Sequence, residues 1–293
     1  MPHRIQSPSS INTYRQCPRK YYYNYILELP TVPSIHLVRG HVVHAVLENF
    51  FRIDLSQIDS RNYDFALKKT IQELLMRYWK DEKDFHKLDL TKEKLMFFFD
   101  ESMLMLLNWI NQFIARLEAM MAQGFSFIDS FKRLTPKTEQ QYISVEHQVQ
   151  GFIDAVEEID EVVRIIDYKT SKSYDISDEY KLQLAIYALL YNEKHGKMPN
   201  KVGINFLKDV EKFLDVDEKL IEYAKKEIAL VHKKTASDNI EDYPMIPQTL
   251  CKWCDFFNKC FGVDGEKYPF RNGNGRNGNW NGSGKNGNIK SWK

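Results

Sequence analysis

The chain has 293 residues, with 41 lysines and arginines against 40 aspartates and glutamates, and aromatic residues make up 13% of it. That length suffices for one large α/β unit or two small ones, and the near-zero net charge excludes a global basic field, so any nucleic-acid surface must be a local patch. No apolar run reaches the roughly 18 residues of a membrane span, and MPHRIQSPSS lacks the apolar centre of a signal peptide, so a cytosolic setting with reduced thiols is expected.

Ser7 or Ser9 can cap a first helix that tolerates Pro8 in its opening turn, and Cys17-Pro18 interrupts that helix. Arg19, Lys20, Tyr21, Tyr22 and Tyr23 follow. Basic residues interleaved with tyrosines could meet a DNA strand by charge and stacking, or equally pack their rings on the core. Residues 39–51 read as an amphipathic helix with Val42, Val43, Val46, Leu47 and Phe50 as its stripe and His44 beside it. His41 and Glu48 lie one turn away on either side and are expected to be bystanders. Residues 60–125 are helical in pattern, with Gly124 as a helix end, and form a helical part ahead of the sheet. Residues 139–148 alternate and are expected to be the first strand, placing Glu146 on the strand before Asp154.

Two β-branched runs, 152–157 and 162–168, flank the polar reversal Glu158-Ile159-Asp160-Glu161 and predict a β-hairpin. Folded about its centre, it brings Asp154 opposite or nearly opposite Asp167, and period-two alternation puts Asp167 and Lys169 on one face. Two adjacent carboxylates repel unless a cation lies between them, and hard oxygen ligands suit Mg²⁺ or Mn²⁺. A lysine beside such an ion can orient or deprotonate a water, or hold a phosphate oxygen. A polar loop leads into a helix over 180–194 that closes near Gly196 and carries Gln183 and Tyr187 on one face. With a strand over 201–207 it completes a βαβ unit. A short strand near 213–216 and a lysine-rich helix over 218–235 follow.

Cys251-x₂-Cys254-x₅-Cys260 lies near the C-terminus and Cys17 stands more than 230 positions earlier. In a reducing compartment four thiols suggest one soft-ligand centre. Iron–sulfur and zinc would both accept them, and the spacing alone does not choose. Residues 271–293 are rich in asparagine and glycine, with no acidic residue, and are expected to be disordered. The chain carries no Walker A motif, so no ATP motor is expected.

Asp154 with Ile166-Asp167-Tyr168-Lys169-Thr170 resembles the core motif of the PD-(D/E)XK nucleases, in the form shared by RecB-type members. Gly40-x-x-x-His44 resembles the histidine motif of that group, and Gln183-x-x-x-Tyr187 the signature that follows its D-x-K strand. The cysteine pattern is similar to that of the iron–sulfur nucleases, namely the AddB nuclease domain and the CRISPR-associated exonucleases of the Cas-four type. The likeness spans roughly residues 7–262.

It implies an α/β fold: a restriction-endonuclease-like core with a central mixed β-sheet flanked by helices, a helical N-terminal part and a C-terminal cysteine cluster. Residues 1–130 would be helical and integrated with the core, 131–262 the nuclease core with the iron–sulfur segment, and 263–293 a tail. His44, Asp154, Asp167 and the carbonyl of Tyr168 would hold Mg²⁺ or Mn²⁺, with Lys169 acting on the water. Cys17, Cys251, Cys254 and Cys260 would hold a [4Fe-4S] cluster, and Gln183, Tyr187, Arg19, Lys20 and Tyr22 would face DNA. The implied activity is a metal-dependent DNA exonuclease acting on single-stranded ends, in repair or CRISPR adaptation and with DNA-processing protein partners. The alternatives are an endonuclease that trims DNA for a partner, and a non-catalytic nucleic-acid-binding module.

Overall fold

The hairpin predicted from the sequence is the centre of the computed structural model, which describes residues 4–59, 61–172, 175–262 and 267–268. Strand β2 (Val149–Ile159) turns through Asp160 and Glu161 into β3 (Val162–Lys169). Both turn residues have positive φ, 47° and 68°, the twist that a two-residue hairpin loop needs. The reversal is thus tighter than the four residues read from the sequence. Ala155 pairs with Ile166, and the next step of that register sets Asp154 against Asp167 as expected.

Three further strands complete one mixed sheet in sequence order. β1 (Lys137–Ser144) runs antiparallel to β2, β4 (Lys201–Phe206) parallel to β3, and β5 (Glu211–Asp215) antiparallel to β4. The parallel pair is joined through α7 (Asp178–His195). Ser177 caps α7, and Gly196 closes it at φ 67°, a conformation glycine enters freely. Before the sheet come α1 (Pro8–Gln16), α2 (Pro18–Tyr21), a short π-helical segment (Tyr22–Ile26), α3 (Ile35–Phe50), α4 (Tyr63–Asp81), α5 (Lys92–Ala122) and α6 (Phe127–Leu134). After it come α8 (Glu218–Lys234) and the short α9 (Phe257–Phe261). No helix among the described residues is long and apolar enough to cross a membrane. The tail read at 263–293 lies outside the described residues apart from positions 267 and 268.

The sheet has a core on each face. On one, Ala155, Ile166 and Tyr168 pack with buried residues of α3, α4, α5 and α6. On the other, Ile153, Val156, Val163 and Ile165 pack with Ile11 of α1 and with α7 and α8. The helical stretch before the sheet is therefore one layer of the core itself. Alternation along β2 changes phase at Asp154: Gly151 and Ile153 look toward α7, Ala155 the other way, and Val156 again toward α7. Opposite that step, Glu139 of β1 takes φ 48°. Paired departures of this kind re-aim side chains, as β-bulges do beside functional sites.

One expectation is corrected here. Residues 145–148 form a turn and do not extend the strand. Val145 is 86% exposed there, and the backbone N–H of His147 donates to Ser144 Oγ at 3.0 Å. Glu146 sits in that turn, beyond the start of β2 at Val149, which is itself five residues and about 17 Å of strand rise from Asp154.

Close packing between β4 and β5 rests on Gly203. A Cβ there would come within 2.4 Å of the Phe213 ring and 2.5 Å of the Lys212 carbonyl oxygen. Gly203→Ala is expected to destabilise by about 3 kcal/mol and lower the melting temperature by about 10 °C. A thermal melt with a shift below about 2 °C would show that β5 yields at little cost.

Candidate active site

The end of β3, the phase change in β2 and the middle of α3 meet at one cavity of about 530 Å³. His44, Glu139, Asp154, Tyr168 and Lys169 all line it. His44 reaches it because Val42, Val43, Val46 and Leu47 bury the adjacent face of α3 and so fix the rotation of the helix. Its Nε2 lies 2.9 Å from the Tyr168 carbonyl oxygen, and its Nδ1 lies 3.5 Å from Asp154 Oδ2 and 4.0 Å from Glu139 Oε1. Asp154 is held from behind, since the backbone N–H of Tyr168 donates to its Oδ2 at 2.7 Å. Asp167 is 2% exposed. Lys169 Nζ stands 2.6 Å from its Oδ2, and Gln183 Nε2 donates to its Oδ1 at 2.7 Å.

Burial alone would push Asp154 up, but His44, the Tyr168 N–H and Lys169 outweigh it and hold the carboxylate below its ordinary range. Asp167 moves the other way: burial raises it, Asp154 adds to the rise, and Lys169 only partly opposes it. Burial pulls Lys169 down, yet Asp167, by charge and hydrogen bond, leaves its pKa raised, so it is an ammonium at neutral pH. His44 is likewise pushed up to about 9, because the attraction of Asp154 outweighs burial. Glu139 is pushed up to about 7, by burial first and then by Asp154.

The ligand atoms of His44, Glu139 and Asp154 all lie within 4.8 Å of one another. One imidazole, two carboxylates and the neighbouring Tyr168 carbonyl suit a hard divalent ion. That fit, and the repulsion among Glu139, Asp154 and Asp167, are what a cation would resolve. Asp167 is occupied by Lys169 and Gln183 and stands outside the His44–Glu139–Asp154 group. Glu139 therefore joins the candidate ligands that sequence reasoning gave. The signal for Glu139 was the β1–β2 register, readable only once residues 145–148 are taken as a turn.

Holding a metal requires a neutral imidazole. With His44 near 9 in the metal-free site, loading must expel its proton below that pH. The half-saturating Mn²⁺ concentration is expected to fall roughly tenfold per pH unit as pH rises from about 7.5, where Glu139 is already ionised, toward 9. His44→Ala should raise that concentration and flatten the slope. A titration that is flat with pH in the unaltered protein would mean His44 carries no proton to expel.

The residues expected to face DNA are placed differently. Gln183 and Tyr187 do share a face, and Gln183 Nε2 donates to the Tyr187 hydroxyl at 2.8 Å. That face is turned to Asp167, and Tyr187 is only 5% exposed, so its ring offers no stacking surface. Tyr22 is also buried, in an aromatic group with Tyr21, Tyr23, Tyr243 and Phe256, and its hydroxyl donates to the Asp238 carbonyl. Arg19 Nε donates to the Tyr243 carbonyl at 2.7 Å, and Lys20 Nζ to Gln16 at 3.2 Å. The core-packing alternative thus describes these tyrosines. Cys17, Cys251, Cys254 and Cys260 line a second cavity beside that group, of about 220 Å³.

A mixed sheet carrying Asp167 and Lys169 at the end of β3 and Asp154 opposite them on β2, with His44 from a packed helix, defines a nuclease of the restriction-endonuclease-like class. The model of the PD-(D/E)XK nuclease superfamily matches residues 6–261, and the chain belongs to that superfamily. No curated protein matches it. Among solved structures, a candidate exonuclease from Eubacterium rectale is 13% identical, with a TM-score of 0.48, covering 86% of this chain and 87% of its own. The structure of SSO0001 is 16% identical, with a TM-score of 0.27, covering 82% of this chain and 92% of its own. At those scores neither likeness adds to the argument.

Proposed function

We propose that this nuclease is a Mg²⁺- or Mn²⁺-dependent exonuclease that degrades single-stranded DNA from its ends. The observation that carries the reading is the convergence of His44, Glu139 and Asp154 beside the Lys169–Asp167 pair in one cavity. A divalent ion bound there would polarise a phosphate oxygen and lower the pKa of a water. The chain's own side chains do the rest. Lys169, an ammonium, donates to the attacking water or to a phosphate oxygen. Asp167 holds that ammonium in place, and Gln183 fixes the carboxylate from its other oxygen. Single strands are the substrate expected of a sequence with no Walker A motif of its own.

We further propose that the four cysteines hold a [4Fe-4S] cluster. What supports the reading is that all four line one cavity, four soft ligands such as a cluster takes one to each iron.

The deciding experiment supplies end-labelled linear and circular single-stranded DNA, with and without Mn²⁺. Linear DNA shortened from an end, with the circle untouched and no reaction under chelator, supports the proposal. Cutting of the circle would replace it with an endonuclease.

A further inference from the structure

Lys169 is the last residue of β3, and its carbonyl accepts from the Leu207 N–H at 3.0 Å. Beyond that bond the chain leaves the sheet. The next carbonyl, that of Thr170, is taken by Arg39 of α3, whose Nη2 donates to it at 3.2 Å. Helix α3 therefore grips the end of β3 twice, through His44 at Tyr168 and Arg39 at Thr170. The gripped carbonyls flank Lys169. Five helical positions rise about 7.5 Å and two strand positions about 7 Å, so one straight helix meets both.

Arg39 is 2% exposed. Its Nη1 pairs with Glu101 of α5, and Glu101 also takes Lys208 Nζ at 2.6 Å. The Phe98 ring lies under the guanidinium, 5.6 Å from Cζ. A buried charge held this way has little freedom, and a planar fork can serve a carboxylate and a carbonyl together.

We infer that Arg39 is a positioning residue for Lys169, tethering the strand end so that the ammonium stays on Asp167 and in the cavity. The inference rests on the nuclease reading of that site. Arg39 touches neither the proposed ligands nor open solvent, so its effect runs through Lys169.

Arg39→Lys keeps a charge beside Glu101, but one ammonium cannot replace the fork. Single-turnover cleavage of linear single-stranded DNA at saturating Mn²⁺ should fall ten- to hundredfold, the range for a small misplacement of a reacting group. KM, and Kd measured with Ca²⁺ in place of Mn²⁺, should stay within about twofold. Glu101→Gln, which leaves the Thr170 tether in place, should keep nearly the full rate. If Arg39→Lys does not fold, Arg39→Met with Glu101→Gln removes the charge pair together, a change that buried pairs often tolerate, and should show the same loss. A rate loss that disappears on cooling would reduce Arg39 to a structural role. A rise in KM with a shallower salt dependence would make it a phosphate contact. Equal losses in Arg39→Lys and Glu101→Gln would credit the ion pairs over the tether. Each of these three results overturns the inference. Failure of the unaltered protein to cut DNA is a separate outcome and strikes the nuclease proposal alone.

Discussion

Lys169→Ala should lose DNA cleavage on the order of 10³-fold, in the range for a group that handles a proton in the transition state, while the protein stays folded. The Lys169 ammonium stands 2.6 Å from the buried Asp167 carboxylate. Removing it takes away the proposed donor to the attacking water and leaves Asp167 facing Asp154 without its ammonium. Folding survives because Asp167 can take a proton: burial already holds its pKa high, and loss of Lys169 raises it further. The sign follows. A carboxyl whose folded pKa lies above its unfolded value is stabilising below the unfolded value and loses that contribution as pH rises through the folded one. The variant's melting temperature should therefore drop more than the parent's between pH 5 and 8. Cleavage by Lys169→Ala at the parent's rate would end the assignment. A variant that is unfolded at pH 5 would end the account of Asp167. Gln183→Ala, which frees only Asp167 Oδ1, should cost less than Lys169→Ala in the same assay.

The central hairpin was legible because two constraints agreed: β-branched runs on both strands and a polar reversal, read over residues 158–161, between them. The opposition or near-opposition of Asp154 and Asp167 then followed from folding the hairpin about its centre, and the shared face of Asp167 and Lys169 from period two. The stripe on α3 gave the position of His44 in the same way. Glu139 was not legible, because its approach depends on where β1 ends and on a positive φ that no residue type announces. Gln183 and Tyr187 show a different limit. Spacing of four says that two side chains share a helix face, but not what that face meets. Here it meets Asp167 and the core. Arg39 escaped notice for a similar reason: an arginine in a helix usually reaches water, and only tertiary packing shows it spent on Glu101 and Thr170.

Cys17→Ala should remove the absorbance near 400 nm and reduce iron from about four atoms per chain to near zero, without unfolding the protein. Burial, with the neighbouring thiols adding to it, pushes Cys260 up to about 11, and burial raises Cys254 as well. Such thiols are protonated when nothing cationic is present, and a bound metal reverses that by replacing the protons. Losing one of four ligands should tip that balance. The N- and C-terminal segments nevertheless remain joined, because Arg19 donates to the Tyr243 carbonyl, Gln248 to the Gln16 carbonyl, and Tyr21 stacks on Tyr243 at 6.1 Å. A cross-link spanning more than 230 residues is worth up to about 5 kcal/mol in chain entropy. The melting temperature should therefore fall by roughly 10 °C, with DNA cleavage retained at low temperature, since Asp154, Asp167 and Lys169 are fixed by other contacts. One zinc and no iron in the parent would replace the cluster with a Cys₄ zinc site. Iron at the parent's level in Cys17→Ala would show that another residue fills the fourth position.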